Sequence, residues 1–508
     1  MIHDFQSPPL KWRLLSQVGG VTIAGCLIGL LQLSETHLKH YFEQSKTQES
    51  SILANAFGNV NAKQLQQWDQ QSLNTPAEPP IDLAINPTLL PQGKLSVTER
   101  AMAQQAWQYF VNNWNENTGL VNGRDRIAAT SLDDITSSLQ AVVSAHELGL
   151  IPESEFKTKL NKTLKTLTTL PLYNDELPHR LYHSTTTQPL SKHPQTEESN
   201  SGWSAVSIGR LARWLKIIAV RYPQVQPQIS KIWDRWQVDL LTQNGQLQAA
   251  QVKNGGEERY QQGRLGEESY AAYGLHLWGL PVQRALQVEP NMVIRHIYGQ
   301  PLPHDRRRPN FDNTVSDSST HYILDGIETG FRALPQSYAE AILRVQMARF
   351  QKTQQLTAVA PDAIDRSPFT LQNTVLTHQT PWASQQGNQV HQDLRFVSSK
   401  AAIGWFVLSP SPYTQRLFEL VQTEVIKPES VQPKLPAAGG LASGFYESLR
   451  KPNQALSADT NGIILASLLY RQVNQPLMDW AGIKPPDKSP DKSPDKSPDK
   501  SPNSSEQF

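Results

Sequence analysis

Two acidic residues stand where a protein could use a carboxylate for proton transfer. Asp134 follows a polar loop at the start of an amphipathic segment, and Glu268 lies in a glycine-rich turn with Gly263 and Gly266. Glycine allows a ligand to approach the backbone closely. Two carboxyl groups in one cleft can act as general acid and general base, as glycoside hydrolysis requires. Glu268 and Asp134 are therefore the first candidates for catalysis, with helix capping as the alternative role of Asp134.

Three further acids are weaker candidates for the same role. Glu328 is flanked by glycines in segment 325–330, and Asp362 and Asp365 bracket a loop that ends at Pro368. Acids in such places commonly cap helices, shape turns or face solvent. A catalytic role also needs a pKa tuned by burial, which the sequence does not show.

Aromatic residues are numerous enough to provide surfaces on which sugar rings could stack. The chain has 12 Trp and 14 Tyr, and their flat apolar faces suit such contacts. Trp203 at a predicted helix start, Trp382 in a loop and Tyr270 beside the glycine-rich turn are the candidates for substrate binding. Trp107 and Trp114 lie on one helical stripe, which indicates core packing.

Several other kinds of site are not indicated by the sequence. It contains no His-Glu-x-x-His motif, no glycine-rich phosphate loop and no Gly-x-Ser-x-Gly elbow, so we expect no metal and no cofactor. The single cysteine, Cys26, excludes an internal disulfide. The 47 basic and 46 acidic residues give a net charge of +1, which argues against nucleic acid as a partner.

A segment without charged residues, 14–34, predicts a transmembrane anchor. A helix of this length crosses a bilayer core of about 30 Å. Lys11 and Arg13 precede it, and Glu35 is the first charge after it. The preference for cations on the cytoplasmic side therefore places residues 1–13 inside and the bulk of the chain on the periplasmic or extracellular side of the inner membrane.

The same segment allows an alternative in which Cys26 is lipidated. Residues 23–26 form a lipobox-like ending, but the apolar run continues beyond Cys26, which favours an uncleaved anchor. Gly25 and Gly29 have a spacing that allows two membrane helices to approach, and this is a weak indication of a dimer.

Three soluble regions follow the anchor. Residues 35–95 are polar and predict a linker with one possible short helix, 96–475 predict a folded domain, and 476–508 predict a disordered tail with a Pro-Asp-Lys-Ser repeat. In the domain, Ser96 and Glu99 form a capping box before a helix. Further helices are predicted near 133–148, 154–168, 208–222, 227–241, 268–278, 318–331, 336–354, 398–408, 414–425 and 459–471.

The number and length of these helices favour an α/α toroid. Such a fold pairs outer with inner helices, and its loops at one end form a single cleft. Asn244-Gly245 adds a β-hairpin signal. We therefore expect an all-α domain with one short hairpin.

Blocks of this domain resemble the bacterial domain of unknown function 3131. Examples are AWQYFVNNWNENTGL (106–120), GWSAVSIGRL (202–211) and QGRLGEESYAAYGLHLWGL (262–280). Other matching blocks are 130–150, 357–368, 397–405, 440–446 and 460–470. In relatives the acids corresponding to Asp134 and Glu268 follow a Trp and a Tyr, whereas here they follow Asp133 and Glu267.

That family is distantly similar to glucoamylase-like (α/α)6 toroids, which include enzymes that process β-1,2-glucans. The resemblance implies an envelope protein that acts on polysaccharide as an inverting glycoside hydrolase, with Glu268 as acid and Asp134 as base. The alternative is a non-catalytic glycan-binding or scaffold protein in exopolysaccharide or envelope assembly. A glycan is the expected substrate or ligand in both cases.

Overall fold

The computed structural model describes residues 62–83, 93–196, 201–253, 255–310, 317–377, 380–425 and 439–484. The predicted anchor, with Cys26, Gly25 and Gly29, and the predicted repeat lie outside these ranges. Within them, no helix has both the length and the apolar character needed to span a bilayer.

The described helices are named α1 to α14 in chain order. Their bounds are α1 Ala62–Gln71, α2 Val97–Asn113, α3 Leu132–Glu147, α4 Glu153–Leu167, α5 Ala205–Arg221, α6 Gln226–Asp234, α7 Glu267–His276, α8 Gln283–Leu286, α9 Thr320–Thr329, α10 Gln336–Thr353, α11 Ser399–Leu408, α12 Pro412–Leu420, α13 Ala458–Val473 and α14 Leu477–Ala481. Single turns of 3-10 helix occur at Ser72–Asn74, Pro223–Val225, Val238–Leu241, Glu289–Asn291 and Gln392–Leu394, and a π-helical turn at Val421–Val425.

Six helices form a closed inner ring. In order around it they are α3, α5, α7, α9, α11 and α13, and α13 packs again on α3. An outer helix precedes each of them in the chain and packs beside the ring: α2, α4, α6, α8, α10 and α12. The predicted toroid of paired helices is therefore confirmed, with α7 and α13 as opposite members of the ring.

The apolar stripe of α5 shows why the ring forms. Ile208, Leu211, Leu215 and Ile218 recur at helical spacing and are completely buried. The Ser96–Glu99 capping box is also present at the start of α2. These local patterns made the helices predictable.

Helices α5 and α7 approach each other through glycine. A methyl group at Gly274 would collide with the carbonyl oxygen of Gly209. We expect Gly274→Ala to lower the free energy of unfolding by about 1–3 kcal/mol, because backbone atoms cannot move aside as a side chain can. Urea denaturation measures this, with Gly256→Ala at an open position as the control. Equal stability of both variants would contradict the close packing.

The loops contain more β-structure than the single predicted hairpin. The strands are β1 Thr130–Ser131, β2 Leu172–Tyr173, β3 Leu177–Pro178, β4 Leu181–Tyr182, β5 Gly202–Ser204, β6 Thr242–Gln243, β7 Gln246–Lys253, β8 Gly256–Gln261, β9 Met292–Ile297, β10 Gln300–Asp305, β11 Asp362–Ala363, β12 Thr370–Asn373, β13 Leu376–Thr377, β14 Thr380–Pro381, β15 Ser384–Gln386, β16 Gln389–Val390, β17 Phe396–Ser398, β18 Gly444–Tyr446 and β19 Lys451–Asn453.

All described strand pairs are antiparallel, and they form small separate sheets. Strand β7 pairs with β5, β6 and β8; β12 pairs with β11 and β15; β15 pairs with β16; and β18 pairs with β17 and β19. The remaining pairs are β1 with β4, β2 with β3, β9 with β10 and β13 with β14. Asn244 and Gly245, with φ of 52° and 75°, form the predicted turn between β6 and β7. The extra pairing satisfies backbone groups in partly buried loops.

Two short helices lie outside the predicted domain 96–475, or extend beyond it, and pack against the fold. Helix α1 lies in the predicted linker, yet Asp69 on it is buried and forms ion pairs with Arg349 and Arg395. Helix α14 lies in the predicted tail, yet Leu477 and Met478 are completely buried. Helix α1 fits the one short helix that the sequence allowed within 35–95.

Candidate active site

A cleft of about 430 Å³ opens where the six inner helices begin. Its volume lies in the range of small-ligand sites. Each inner helix contributes residues from its first two turns or from just before them. The lining is mostly polar: Ser131, Asp133, Arg180, Ser204, Ser207, Arg210, Gln262, Arg264, Glu267, Ser318, Thr320, His321, Gln372, Lys400 and Asp459, with Val206, Leu265, Tyr270, Leu324 and Pro361.

Opposite charges are paired around Asp459, at the start of α13. Its carboxylate accepts hydrogen bonds from Arg210 Nη1 at 2.9 Å and from Lys400 Nζ at 2.5 Å. Lys400 Nζ also lies 3.3 Å from Asp362, which is buried behind it. Burial opposes ionisation of Asp459, but the neighbouring Lys400 and Arg210 cations hold its pKa well below the usual range. Asp459 is therefore a carboxylate at any physiological pH.

Two other acids contact the cleft. Asp133, on α3, accepts a hydrogen bond from Ser207 Oγ at 2.7 Å and lies 3.7 Å from Arg210. Its side chain is 40% exposed. Glu267, the first residue of α7, is partly exposed on the side of the ring opposite Asp459. The cleft thus carries carboxylates on opposite inner helices.

His321, at the start of α9, also lines the cleft. Burial and the nearby Arg210 cation lower the pKa of its imidazole to about 3. His321 is therefore neutral at physiological pH and can donate or accept a hydrogen bond there. Among the described residues, no group of three or more His, Cys, Asp or Glu side chains could hold a metal ion.

The sequence model of a family described as "Protein of unknown function (DUF3131)" matches residues 101–474. The chain belongs to the DUF3131 family. The resemblance inferred from the sequence is therefore confirmed. No curated protein matches this DUF3131 chain.

Solved structures share the toroid of the DUF3131 domain. A presumed glucoamylase from Bacteroides caccae has a TM-score of 0.55 at 13% identity, covering 76% of this chain and 96% of that one. An endo-β-1,2-glucanase from Chitinophaga pinensis, in complex with sophorotriose and glucose, has a TM-score of 0.50 at 13% identity, covering 76% and 97%. At such low identity the likeness shows the glucoamylase-like fold and not the activity.

In the DUF3131 domain, Glu268 lies behind the cleft wall and not in its lining. It is 4% exposed, and its carboxylate accepts hydrogen bonds from Arg307 Nη1 at 2.7 Å and Gln261 Nε2 at 3.0 Å. Burial raises its pKa, although Arg307 opposes the shift. Successive helical residues point about 100° apart, so Glu267 faces the cleft and Glu268 does not. The structure therefore favours Glu267 as the acid that could contact a substrate.

Asp134 forms the capping box of α3, which was the alternative considered from the sequence. It accepts hydrogen bonds from the backbone N–H and the hydroxyl of Ser131, at 2.8 and 2.7 Å, while Ser131 Oγ accepts from the Asp134 N–H. Asp134 is partly buried and is not among the residues that line the cleft. Its neighbour Asp133 lines the cleft instead.

Asp134 gives a pH-dependent contribution to stability. Burial raises its pKa from 3.8 to about 6, despite the opposing hydrogen bonds from Ser131. The folded state therefore binds this proton more tightly than the unfolded chain, so the contribution is full below pH 3.8 and is lost as the pH rises through 6. We expect the melting temperature of the wild type, relative to Asp134→Asn, to be highest near about pH 4 and to decrease toward about pH 7. A difference that does not vary with pH would contradict this.

The weaker acid candidates are held in internal networks of the DUF3131 domain. Glu328 is fully buried and accepts hydrogen bonds from Tyr270 Oη at 2.8 Å and Trp214 Nε1 at 2.7 Å, with Arg213 3.3 Å away. Tyr270 is likewise fully buried, although it touches the cleft. A carboxylate and a phenol held in this way support the ring and do not offer a free face to sugar.

Asp362 and Asp365 also lie outside the cleft lining. Asp362 accepts a hydrogen bond from Thr460 Oγ1 at 2.7 Å and is paired with Lys400. Asp365 accepts from Tyr446 Oη at 2.9 Å and from the Gln454 N–H at 3.0 Å. Both positions therefore organise loops.

The two tryptophans expected to stack on sugar are core residues. Trp203 and Trp382 are completely buried and do not line the cleft. Trp382 packs beside Arg349, 5.1 Å from its ring centroid. Trp203 was expected at a helix start and Trp382 in a loop, but Trp203 lies in strand β5 and both side chains are covered by the fold. The expected stacking role therefore does not fit their burial.

Of the residues that line the cleft, the sequence identified Tyr270 but not the charged side chains. Asp459 and Lys400 lie in the first turns of helices that were predicted, and Asp133 and Glu267 adjoin the predicted acids. All four lie at the starts of inner helices. Because a toroid brings these helix starts together at one end, this shared position was the signal that could have identified them. His321 shares that position.

Proposed function

We propose that this DUF3131 protein acts on a polysaccharide as an inverting glycoside hydrolase. The observation that carries the proposal is the pair of carboxylates, Glu267 and Asp459, which line one cleft from opposite inner helices. An inverting enzyme needs an acid and a base on opposite faces of the sugar, roughly 6.5–9.5 Å apart. The solved β-1,2-glucanase of the same fold supports a glycan as the class of substrate.

Each residue has a defined role in this proposal. Glu267 protonates the glycosidic oxygen as the bond between that oxygen and the anomeric carbon breaks. Asp459 accepts a proton from the water that attacks the anomeric carbon from the opposite face. The new bond to carbon makes that water proton acidic enough to pass to a carboxylate whose own pKa is low. The product has inverted configuration, and proton exchange with solvent restores both groups. Asp133 positions Arg210, which in turn positions Asp459.

A second candidate function is glycan binding without turnover. One observation favours it: among the described residues, the only aromatic rings that line the cleft are Tyr270, which is fully buried, and His321. Glycosidases commonly use stacking on exposed rings to position the sugar, which this lining does not offer. A scaffold in exopolysaccharide or envelope assembly would retain a glycan in the cleft without cleaving it.

The proposed location is the outer side of the inner membrane. Its support is the uncharged segment 14–34 with Lys11 and Arg13 before it. Fusion of reporter enzymes after residue 484 tests this location, because a reporter active only in the cytoplasm should be inactive there. Cytoplasmic reporter activity would overturn the placement.

Release of reducing ends by the full-length chain tests the proposed activity. The panel contains β-1,2-glucan, cellulose oligosaccharides, polygalacturonate and alginate, and nuclear magnetic resonance identifies the anomer first released. A Glu267→Gln/Asp459→Asn double variant controls for contaminating activity. Binding of a glycan without release of reducing ends would favour the scaffold function instead.

A further inference from the structure

Arg264 is a buried cation in the wall of the cleft. The residue is 4% exposed and contributes to the cleft lining. Its Nη1 donates to Gln261 Oε1 at 2.9 Å and to the Gly263 carbonyl at 2.8 Å. Its Nη2 donates to the Arg308 carbonyl at 2.8 Å and to Asn310 Oδ1 at 2.5 Å, and its Nε finds no acceptor.

All of these acceptors are uncharged. Within the described ranges, no carboxylate lies at ion-pair distance from Arg264, whereas its neighbour Arg307 is paired with both Asp305 and Glu268. Burial and the repulsion by Arg307 lower the pKa of the Arg264 guanidinium, against the weaker attraction of nearby acids. A buried charge without a direct counter-ion is costly, so a ligand that supplies one is favoured.

The other cations of the cleft differ from Arg264. Arg210 and Lys400 are paired with Asp459, so their charges are already balanced within the protein. Arg180 is partly exposed on the lining and donates to Tyr260 Oη at 2.7 Å. Gln262 lines the same cleft and accepts a hydrogen bond from Ser204 Oγ. Recognition in this cleft therefore relies on charge and hydrogen bonds, because no exposed aromatic ring is present among its described lining residues.

We propose that the cleft selects an anionic glycan, one whose sugar carries a carboxylate, sulfate or phosphate group that Arg264 and Arg180 bind. A guanidinium N–H donates a charge-assisted hydrogen bond to such an oxyanion, and in Arg264 the Nε–H is the donor that the protein leaves without an acceptor. The helix starts that surround the cleft add partial positive charge in the same place. This inference rests on the proposed function of the cleft as a glycan site, and it names the class of glycan.

Calorimetric titration of the full-length chain tests the selectivity. The probes are tetragalacturonate for carboxylate, a chondroitin sulfate tetrasaccharide for sulfate, mannose 6-phosphate for phosphate, and cellotetraose and sophorotetraose as neutral controls. We expect at least one acidic probe to bind about tenfold or more tightly than the neutral ones. Its affinity should fall as sodium chloride screens the charge, whereas neutral binding should not. The acidic probe that binds identifies the anion.

Variants of the two arginines test the residues. Arg264→Met and Arg180→Met should each remove most of the acidic preference, and Arg264→Lys should restore part of it because it restores the charge. Arg295→Met, at an exposed position on β9, is the matched control. Circular dichroism identifies any variant that fails to fold. If Arg264→Met does not fold, Arg180→Met provides the test, because Arg180 is partly exposed.

The outcomes separate this inference from the proposed activity. Equal affinity for acidic and neutral probes, or an acidic preference that survives in both folded Met variants, would overturn the selectivity. Cleavage of a neutral glucan without acidic preference would leave the hydrolase standing and overturn only this inference. Tight binding of an acidic probe without any cleavage would support the selectivity and overturn the proposed hydrolase activity.

Discussion

Glu267→Gln and Asp459→Asn are each expected to lower kcat by about 10²–10⁴-fold on the glycan that the protein cleaves. An amide at position 267 cannot supply the proton that the leaving oxygen needs, and an amide at position 459 cannot accept one from water. Both substitutions keep the shape of the side chain and a hydrogen-bond acceptor. The KM should change less than kcat, because the lost contribution belongs to the transition state.

Neighbouring acids provide matched controls for this prediction. Glu268 and Asp134 are the acids chosen from the sequence, and they lie one residue away from cleft residues without lining the cleft. Glu268→Gln weakens the contact with Arg307, and Asp134→Asn weakens the capping box of α3. We expect Glu268→Gln to lower the melting temperature, Asp134→Asn to lower it near about pH 4, and both to change kcat far less than the two cleft variants do. Loss of turnover in Glu268→Gln with full turnover in Glu267→Gln would restore the sequence-based assignment.

Asp459→Asn needs one further readout, because it also leaves Arg210 and Lys400 without their shared carboxylate. Assays are therefore run well below the melting temperature of the variant, with its folded fraction measured by near-ultraviolet circular dichroism. Addition of azide or formate, small anions that can replace a lost carboxylate base, should restore part of the turnover. A fully folded variant with unchanged kcat would remove Asp459 from the mechanism.

Asp69→Asn is expected to lower the free energy of unfolding by about 3–5 kcal/mol, although Asp69 lies in the segment predicted as linker. Its carboxylate lies 3.0 Å from Arg349 Nε and 2.8 Å from Arg395 Nη1. Arg349 and Arg395 otherwise share only Glu447 among the ion pairs of the described chain. Loss of the Asp69 charge leaves two buried cations with one anion, which a low-dielectric interior strongly disfavours.

Urea denaturation of the full-length chain measures this effect. Glu78→Gln is the control, since it breaks an ion pair with Lys352 in which both side chains are more than 40% exposed. Exposed pairs contribute about 0–1 kcal/mol. If Asp69→Asn were no more destabilising than Glu78→Gln, helix α1 would be dispensable for the domain. The expected result instead places helix α1, Ala62–Gln71, within the folded unit.

The carboxylates of Asp69 and Glu447 and the guanidinium groups of Arg349 and Arg395 form one buried network of ion pairs. Burial opposes ionisation of Glu447, but Arg349 and Arg395 lower its pKa from 4.5 to about 2. A carboxylate with a depressed folded pKa stabilises the protein above pH 4.5, and this stability is lost as the pH falls toward 2. Asp69 and Glu447 together therefore hold two arginines that pack beneath the loops.

The sequence by itself determined the six inner helices of this protein and the family to which it belongs. Apolar spacing in α5, the Ser96–Glu99 capping box and the Asn244-Gly245 turn act over a few residues, so their physical causes are visible in order along the chain. The family blocks in turn implied the ring. These local signals placed Asp134 and Glu268 at helix starts that border the cleft.

Only the tertiary structure decided which side chains meet in that cleft. A shift of one residue turns a helical side chain by about 100°, so Asp133 and Glu267 contact the cleft while the adjacent acids support the wall. Asp459 is 191 residues beyond Glu268 in sequence, and ring closure alone brings its helix opposite α7. Burial likewise depends on the loops that cover Trp203 and Trp382. Helical periodicity is local, whereas the direction, pairing and exposure of a charge depend on residues that are distant in the chain.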